Sequence, residues 1–209
     1  TLTVKDPDAV QNAGSGTITL VFTVTDEGDY KDTTVEKDVT VTIAKKEVTA
    51  NWGETSFTYD GTAHVPNATA VGVNGETLTV TVSGEQTDKG TYDATASIAS
   101  VSGGNANADN YTLTGTTTQF TIAPKTLTVS NGDLAYTKEY DGTTAAASAT
   151  GALGVDKVGD DDVTVTIGSA VYADKTVGAG KTVNLSGLTL AGTKAGNYVL
   201  AADTYTFTG

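Results

Sequence analysis

The residues able to do chemistry are few. His64 is the single histidine among 209 residues, and cysteine is absent. Thiolate nucleophiles and zinc–thiolate sites are therefore excluded. A hydroxyl nucleophile needs a positioned base, and His64 alone could supply an imidazole. It follows the Asp60-Gly61 turn and precedes Pro66 with no partner marked for it, so the expectation is a solvated loop. Carboxylates are abundant, with 25 Asp and Glu. Two groups stand out: Asp26, Glu27, Asp29 and Asp32, and then Asp156, Asp160, Asp161 and Asp162. Hard cations favour such oxygen-rich loops, which makes both groups candidates for calcium. Neither has the Asp-x-Asp-x-Asp-Gly spacing of an EF-hand loop. No pair of carboxylates is marked for glycoside hydrolysis, and no long loops are present to build a deep cleft. The expectation is a chain that is not an enzyme and needs no cofactor, with calcium at either acidic group as the alternative.

Two other features invite a binding role. Trp52, the single tryptophan, lies between Asn51 and Gly53 and could stack on a sugar face. Val48, Ala50 and Trp52 also share one face of an extended segment, which favours a place in the core or at a joint. The triplet Tyr-Asp-Gly occurs twice, as Tyr59-Asp60-Gly61 and Tyr140-Asp141-Gly142. Turn chemistry accounts for it. Tyr would plug the end of a packed body, Asp would accept a turn amide and Gly would take positive φ.

The elements that must position these residues are strands. Ile18, Leu20, Phe22 and Val24 recur at every second position, with Thr at most of the positions between. The same spacing holds for Val39, Val41 and Ile43; Leu78, Val80 and Val82; Tyr92, Ala94, Ala96 and Ile98; Val163, Val165 and Ile167; and Tyr205 and Phe207. A period of two puts one row inward and a Thr-rich row outward. No window has helical spacing. Asn74-Gly75 lies between two alternating runs and tolerates positive φ at both positions, the strongest short hairpin signal. Asp60-Gly61, Asn131-Gly132 and Asp141-Gly142 mark further turns. The fold class expected is all-β, built of immunoglobulin-like sandwiches.

A repeat runs through the chain. Val41-Thr42-Ile43-Ala44-Lys45-Lys46 returns as Phe120-Thr121-Ile122-Ala123-Pro124-Lys125, Phe57-Thr58-Tyr59-Asp60-Gly61-Thr62 as Lys138-Glu139-Tyr140-Asp141-Gly142-Thr143, and Asn110-Tyr111-Thr112-Leu113 as Asn197-Tyr198-Val199-Leu200. Each return comes roughly 80 residues on, and the drift between pairs points to related modules with loop insertions. Three modules result: a partial or short β module at 1–44, a full one at 45–123 and another at 124–209. A piece of about 45 residues is below the size that usually folds alone. Its sheet would be completed by upstream strands or by a partner chain, unless it is a shorter sandwich. With no Met in the sequence, the chain reads as part of a longer product, with any export or anchoring signal outside it.

Residues 45–123 resemble the MBG (mostly beta, glycine-rich) repeat of bacterial surface proteins, through Phe57–Thr62, Gly90-Thr91-Tyr92, Asn110-Tyr111 and Phe120-Thr121-Ile122. Residues 124–209 resemble the YDG repeat, through Tyr140–Thr143, Gly159-Asp160-Asp161, Tyr172–Lys175, Val177-Gly178, Gly187-Leu188 and Gly196-Asn197-Tyr198. The end of the second repeat departs from the pattern, since Thr204–Gly209 stops short of an Ile-Thr-Pro-Lys type exit. The resemblance implies a tandem-repeat exoprotein or adhesin, extracellular and displayed on or secreted from a bacterium. It implies no shared catalytic residues. The net charge of −13 makes nucleic acid and anionic membrane surfaces poor partners, and no apolar run is long enough to span a bilayer. The partners expected are neighbouring modules, and a host or microbial surface protein or glycan in the alternative reading. Ala44-Lys45-Lys46 and Ala123-Pro124-Lys125 leave little slack between modules. The function expected is a spacer, an elongated rod of modules; the alternative is a binding module that uses a sheet edge or face.

Overall fold

A computed structural model describes residues 1–7, 10–24, 33–104, 106–146 and 148–208. Among them the chain is β throughout, interrupted only by two three-residue 3-10 turns, Ala108–Asn110 and Ala195–Asn197. In chain order the strands begin with β1 (Leu2–Val4), β2 (Gly14–Val24), β3 (Thr33–Ile43), β4 (Lys46–Thr49), β5 (Asn51–Trp52), β6 (Ser56–Thr58) and β7 (Ala68–Thr69). They continue with β8 (Thr77–Ser83), β9 (Gly90–Ser102), β10 (Tyr111–Thr114), β11 (Thr117–Ala123), β12 (Lys125–Leu127), β13 (Val129–Ser130), β14 (Ala135–Thr137) and β15 (Ser148–Thr150). The last are β16 (Gly154–Val155), β17 (Thr164–Thr166), β18 (Ser169–Tyr172), β19 (Thr182–Ser186), β20 (Thr189–Ala191), β21 (Tyr198–Leu200) and β22 (Thr204–Thr208).

These strands form two compact units. One comprises Thr1–Thr55, Val65–Gly84 and Asp93–Gln119, the other Ser56–His64, Glu85–Tyr92 and Phe120–Gly209. The division passes through β9 and β11. The junctions expected at residues 44 and 123 therefore each fall inside a unit. Both are short. Two residues separate β3 from β4, and Pro124 alone separates β11 from β12.

In the first unit, β1, β2 and β3 form an antiparallel sheet with Leu2 opposite Phe22, Phe22 opposite Val35 and Ile18 opposite Val39. Directly opposed side chains share a face, so the apolar row of the sequence becomes one apolar face. No described residue before Val48 is buried, and Leu2, Phe22 and Val35 are exposed on that face. The core of this unit begins with β4. There Val48, Ala70, Leu78 and Tyr111 pack with Val80, Ile98, Val101 and Leu113. Beside them Ala50, Ala68 and Ala96 pack with Trp52, Val82 and Leu113. The β8–β9 ladder shifts register between Thr79 and Val80, so that Val80 faces Ile98 while Leu78 faces Val101. This bulge returns Val101 to the buried face after the alternation Ala94-Ala96-Ile98 has ended. The Asn74-Gly75 turn has φ of +49° and +78°, as the dipeptide predicted, and Asn74 is the single described non-glycine residue with positive φ.

In the second unit, β18, β19 and β22 form an antiparallel sheet. Val183, Leu185, Leu134, Leu188 and Phe207 are buried together, with Tyr136, Val165, Ile167, Tyr172 and Tyr205 packed around them. Two pairings in this unit are parallel, β6 with β11 and β12 with β21. Leu127 on β12 is wholly buried; a leucine so placed contributes about 1.5–3 kcal/mol.

Candidate functional site

The Tyr-Asp-Gly turns are built alike. The Asp60 carboxylate accepts from the Thr62 amide at 2.9 Å and the Thr62 hydroxyl at 2.7 Å. Asp141 does the same with Thr143, at 2.8 and 2.9 Å. The Thr62 hydroxyl and amide pull Asp60 down to about 2, and Lys138 with the Thr143 amide pulls Asp141 to about 2. Gly61 and Gly142 close the turns with φ of +82° and +78°. Asp60 also reaches the His64 ring, with Oδ1 2.9 Å from Nε2. That ring stacks on Phe57 with centroids 4.8 Å apart. The solvated loop expected for His64 is thus replaced by a packed, partnered histidine. The turn folds Asp60 back toward a residue four positions on.

The surroundings of the two turns differ. Tyr59 is 2% exposed, and its hydroxyl donates to Asp161 at 2.7 Å. Its ring meets Tyr198 edge to face at 5.3 Å. The Tyr198 hydroxyl donates to the same Asp161 oxygen and accepts the Val158 amide at 3.0 Å. Burial, and then Asp161, pushes the Tyr59 hydroxyl up and the Tyr198 hydroxyl to about 12. Hydrogen bonds from Tyr198 and Tyr59 hold Asp161 below the usual carboxylate range. A Cβ added at Gly61 would lie 2.8 Å from a Val158 methyl.

Beside this contact Asn197, 6% exposed, forms a second one. Its carbonyl oxygen accepts the Lys89 amide at 2.8 Å and its NH2 donates to Asp88 at 2.7 Å. Lys194 pairs with the same carboxylate oxygen at 2.8 Å. Lys194 and then Asn197 draw the Asp88 pKa down. The loop is shaped for this by Gly90-Thr91-Tyr92. A Cβ on Gly90 would sit 2.6 Å from the Tyr92 ring, so glycine lets the ring fold back. The Tyr92 hydroxyl then lies 3.0 Å from the Asp88 carbonyl oxygen.

The first unit carries the asparagine half of this arrangement. Asn110 accepts the Ala13 amide at 2.7 Å and donates to Asn12 at 3.0 Å. The neighbouring Tyr111 hydroxyl donates to Glu76 and accepts the Val73 amide at 3.1 Å. In both places the asparagine of an Asn-Tyr pair accepts the amide just ahead of a glycine that opens a long strand, Gly14 of β2 or Gly90 of β9; Tyr198 also meets Tyr59, whereas Tyr111 bonds Glu76 and Val73 instead. The recurrence of Asn-Tyr was visible as rhythm in the sequence. Its role was not, because the two sides of each clasp lie about 100 residues apart, and no local pattern encodes pairing at that range.

Tyr140 has no such cover. It is 67% exposed, and nothing lies within 4 Å of a Cβ added at Gly142. It borders a cavity of about 600 Å3 lined by Tyr136, Asp141, Tyr172, Val177, Lys181 and Val183, among others.

The remaining candidates are placed as follows. Trp52 is half-buried against the Ala50, Ala68 and Ala96 cluster, and its indole N–H donates to the Gly115 carbonyl at 2.9 Å. Asp26, Glu27, Asp29 and Asp32 lie outside the described residues. In the second acidic group the carboxylates part company. Asp156 takes the Thr128 amide and Lys125, Asp161 takes the two tyrosines, and Asp162 takes the amide and hydroxyl of Thr193. Among the described residues no three acidic or histidine side chains converge as a metal site. No helix there is long and apolar enough to cross a membrane.

The YDG domain family model matches residues 123–206. No curated protein and no solved structure matches the chain.

Proposed function

We propose that this chain is a non-catalytic spacer region of a bacterial surface or secreted, adhesin-like protein. In this reading it consists of immunoglobulin-like sandwich modules in series: an MBG-like module at 45–123, the YDG module after it, and a partial module ahead at 1–44. Its partners are its own neighbouring modules, and its use is reach. The observation that supports this most is the junction at Pro124. One residue joins β11 to β12, while Asn197, Asp88, Tyr59 and Asp161 fasten the flanking segments side chain to side chain. A flexible Gly/Ser linker would set no distance. A strand-to-strand joint with a buried polar clasp does.

Small-angle scattering of the chain tests the reading. Two and a half modules of strands at about 3.3 Å per residue should span roughly 70–90 Å. A radius of gyration near the ~17 Å of a compact body of this length would overturn it. Pro124→Gly should broaden the distribution of distances. An unchanged profile would mean that the clasp alone sets the angle.

A further inference from the structure

The second Tyr-Asp-Gly turn repeats the Asp-to-Thr bonds of the first, yet its tyrosine is exposed where Tyr59 is covered. Tyr59, Gly61 and the loop ahead of β9 together receive four things: a carboxylate, an edge-on tyrosine ring, a valine methyl and an asparagine side chain. Tyr140, Gly142 and the loop ahead of β19 are placed to receive the same. Val177 in that loop is 85% exposed, and the cavity of about 600 Å3 lies between the loop and the turn. The wall is aromatic and aliphatic, with Tyr136, Tyr172, Val177 and Val183. Two of its three lysines are tied to its own acids, Lys138 to Asp141 at 2.6 Å and Lys181 to Asp174. Such a wall suits a packed protein surface bringing one carboxylate for the Tyr140 hydroxyl. The chain's own Asn-Tyr pairs are both engaged elsewhere, Asn110 on Ala13 and Asn197 on Lys89.

We propose that the cavity beside Tyr140 is a receiving socket for a further module of the same repeat type, which fills it with an Asn-Tyr pair and a neighbouring carboxylate. The occupied clasp at Tyr59 shows the geometry. The incoming tyrosine ring stands edge-on to Tyr140, a carboxylate accepts the Tyr140 hydroxyl, and an asparagine carbonyl accepts an amide of the loop Val177–Gly180. Asp88 has no acidic counterpart in that loop, which reads Val177-Gly178-Ala179-Gly180. An incoming lysine would find no carboxylate on those four residues, and the contact relies on the tyrosine and the asparagine. The proposal rests on the tandem-module reading above, but it can fail while the scattering test succeeds.

The test appends a second copy of residues 122–209 directly after Thr208, reproducing the existing Ile-Ala-Pro-Lys junction. Tyrosine nitration by tetranitromethane, read peptide by peptide, reports the cover. Tyr140 should nitrate readily in the original chain and roughly tenfold or more slowly in the extended one, in the manner of a site that reacts only when it opens. Tyr59 should stay protected in both and serves as the control for folding. Replacing the asparagine equivalent to Asn197 with alanine in the appended copy alone should restore much of the Tyr140 reactivity. Equal nitration of Tyr140 in the original and extended chains, with Tyr59 protected, overturns the proposal. So does shielding of Tyr140 by a soluble glycan but not by the appended module, since the socket would then be a carbohydrate site.

Discussion

Tyr59 and Tyr140 occupy the same place in the same turn and meet opposite surroundings. The Tyr59 hydroxyl bonds a partly buried carboxylate, and hydrogen bonds to charged partners contribute about 1.5–3 kcal/mol. Tyr59→Phe should therefore cost about 1–2 kcal/mol in chemical denaturation, since Tyr198 continues to serve Asp161. Tyr140→Phe should be silent within about 0.5 kcal/mol. The glycines give a parallel contrast. Gly61→Ala and Gly142→Ala both force a side chain into positive φ, but the first also drives it into Val158. Gly61→Ala should lower the melting temperature more than Gly142→Ala does. Asn197→Ala strands the Lys89 amide and half of the bonding of Asp88, for an expected loss of about 1–3 kcal/mol.

Strands and faces were the part of the fold most open to reading from sequence. Alternation located β2, β3, β8, β9, the Val163–Ile167 run that holds β17, and Tyr205 and Phe207 of β22, because period two sorts side chains onto two faces. Asn74-Gly75 gave its turn for an equally local reason. The extension of β9 past Ile98 was hidden, since the bulge breaks the alternation that would have announced Val101. The acidic group 156–162 looked like a cation loop, and only the three-dimensional partners reveal that Asp161 serves tyrosines from two distant segments. Alternation also cannot tell a covered face from an uncovered one. Phe22 and Leu78 belong to equally regular runs, yet Phe22 is 49% exposed and Leu78 is 8% exposed. Leu78→Ala should cost about 2–5 kcal/mol. Phe22→Thr should change stability by no more than about 0.5 kcal/mol while reducing binding of a hydrophobic dye. Equilibrium denaturation of the two variants checks both.

The pH response belongs to the whole molecule. Asp60, Asp141 and Asp174 titrate near 2, and Asp88 and Asp161 below the ordinary 3.8. A carboxylate depressed in the folded state stabilises above its unfolded pKa and loses that contribution as pH falls toward its folded one. Stability should therefore hold at neutral pH and decline between about pH 4 and pH 2. On the alkaline side Tyr198 is raised from 10.0 to about 12. Its contribution is complete below pH 10 and fades as pH climbs toward 12. Thermal melts across both ranges test these signs. The parallel ladder of β6 with β11 carries a different consequence. Ser56 faces Thr121 and Thr58 faces Ala123, so two segments far apart in the sequence run the same way side by side. A tug on the polypeptide from its two termini drags these segments in opposite directions along their length. Their bonds are loaded together rather than peeled one at a time.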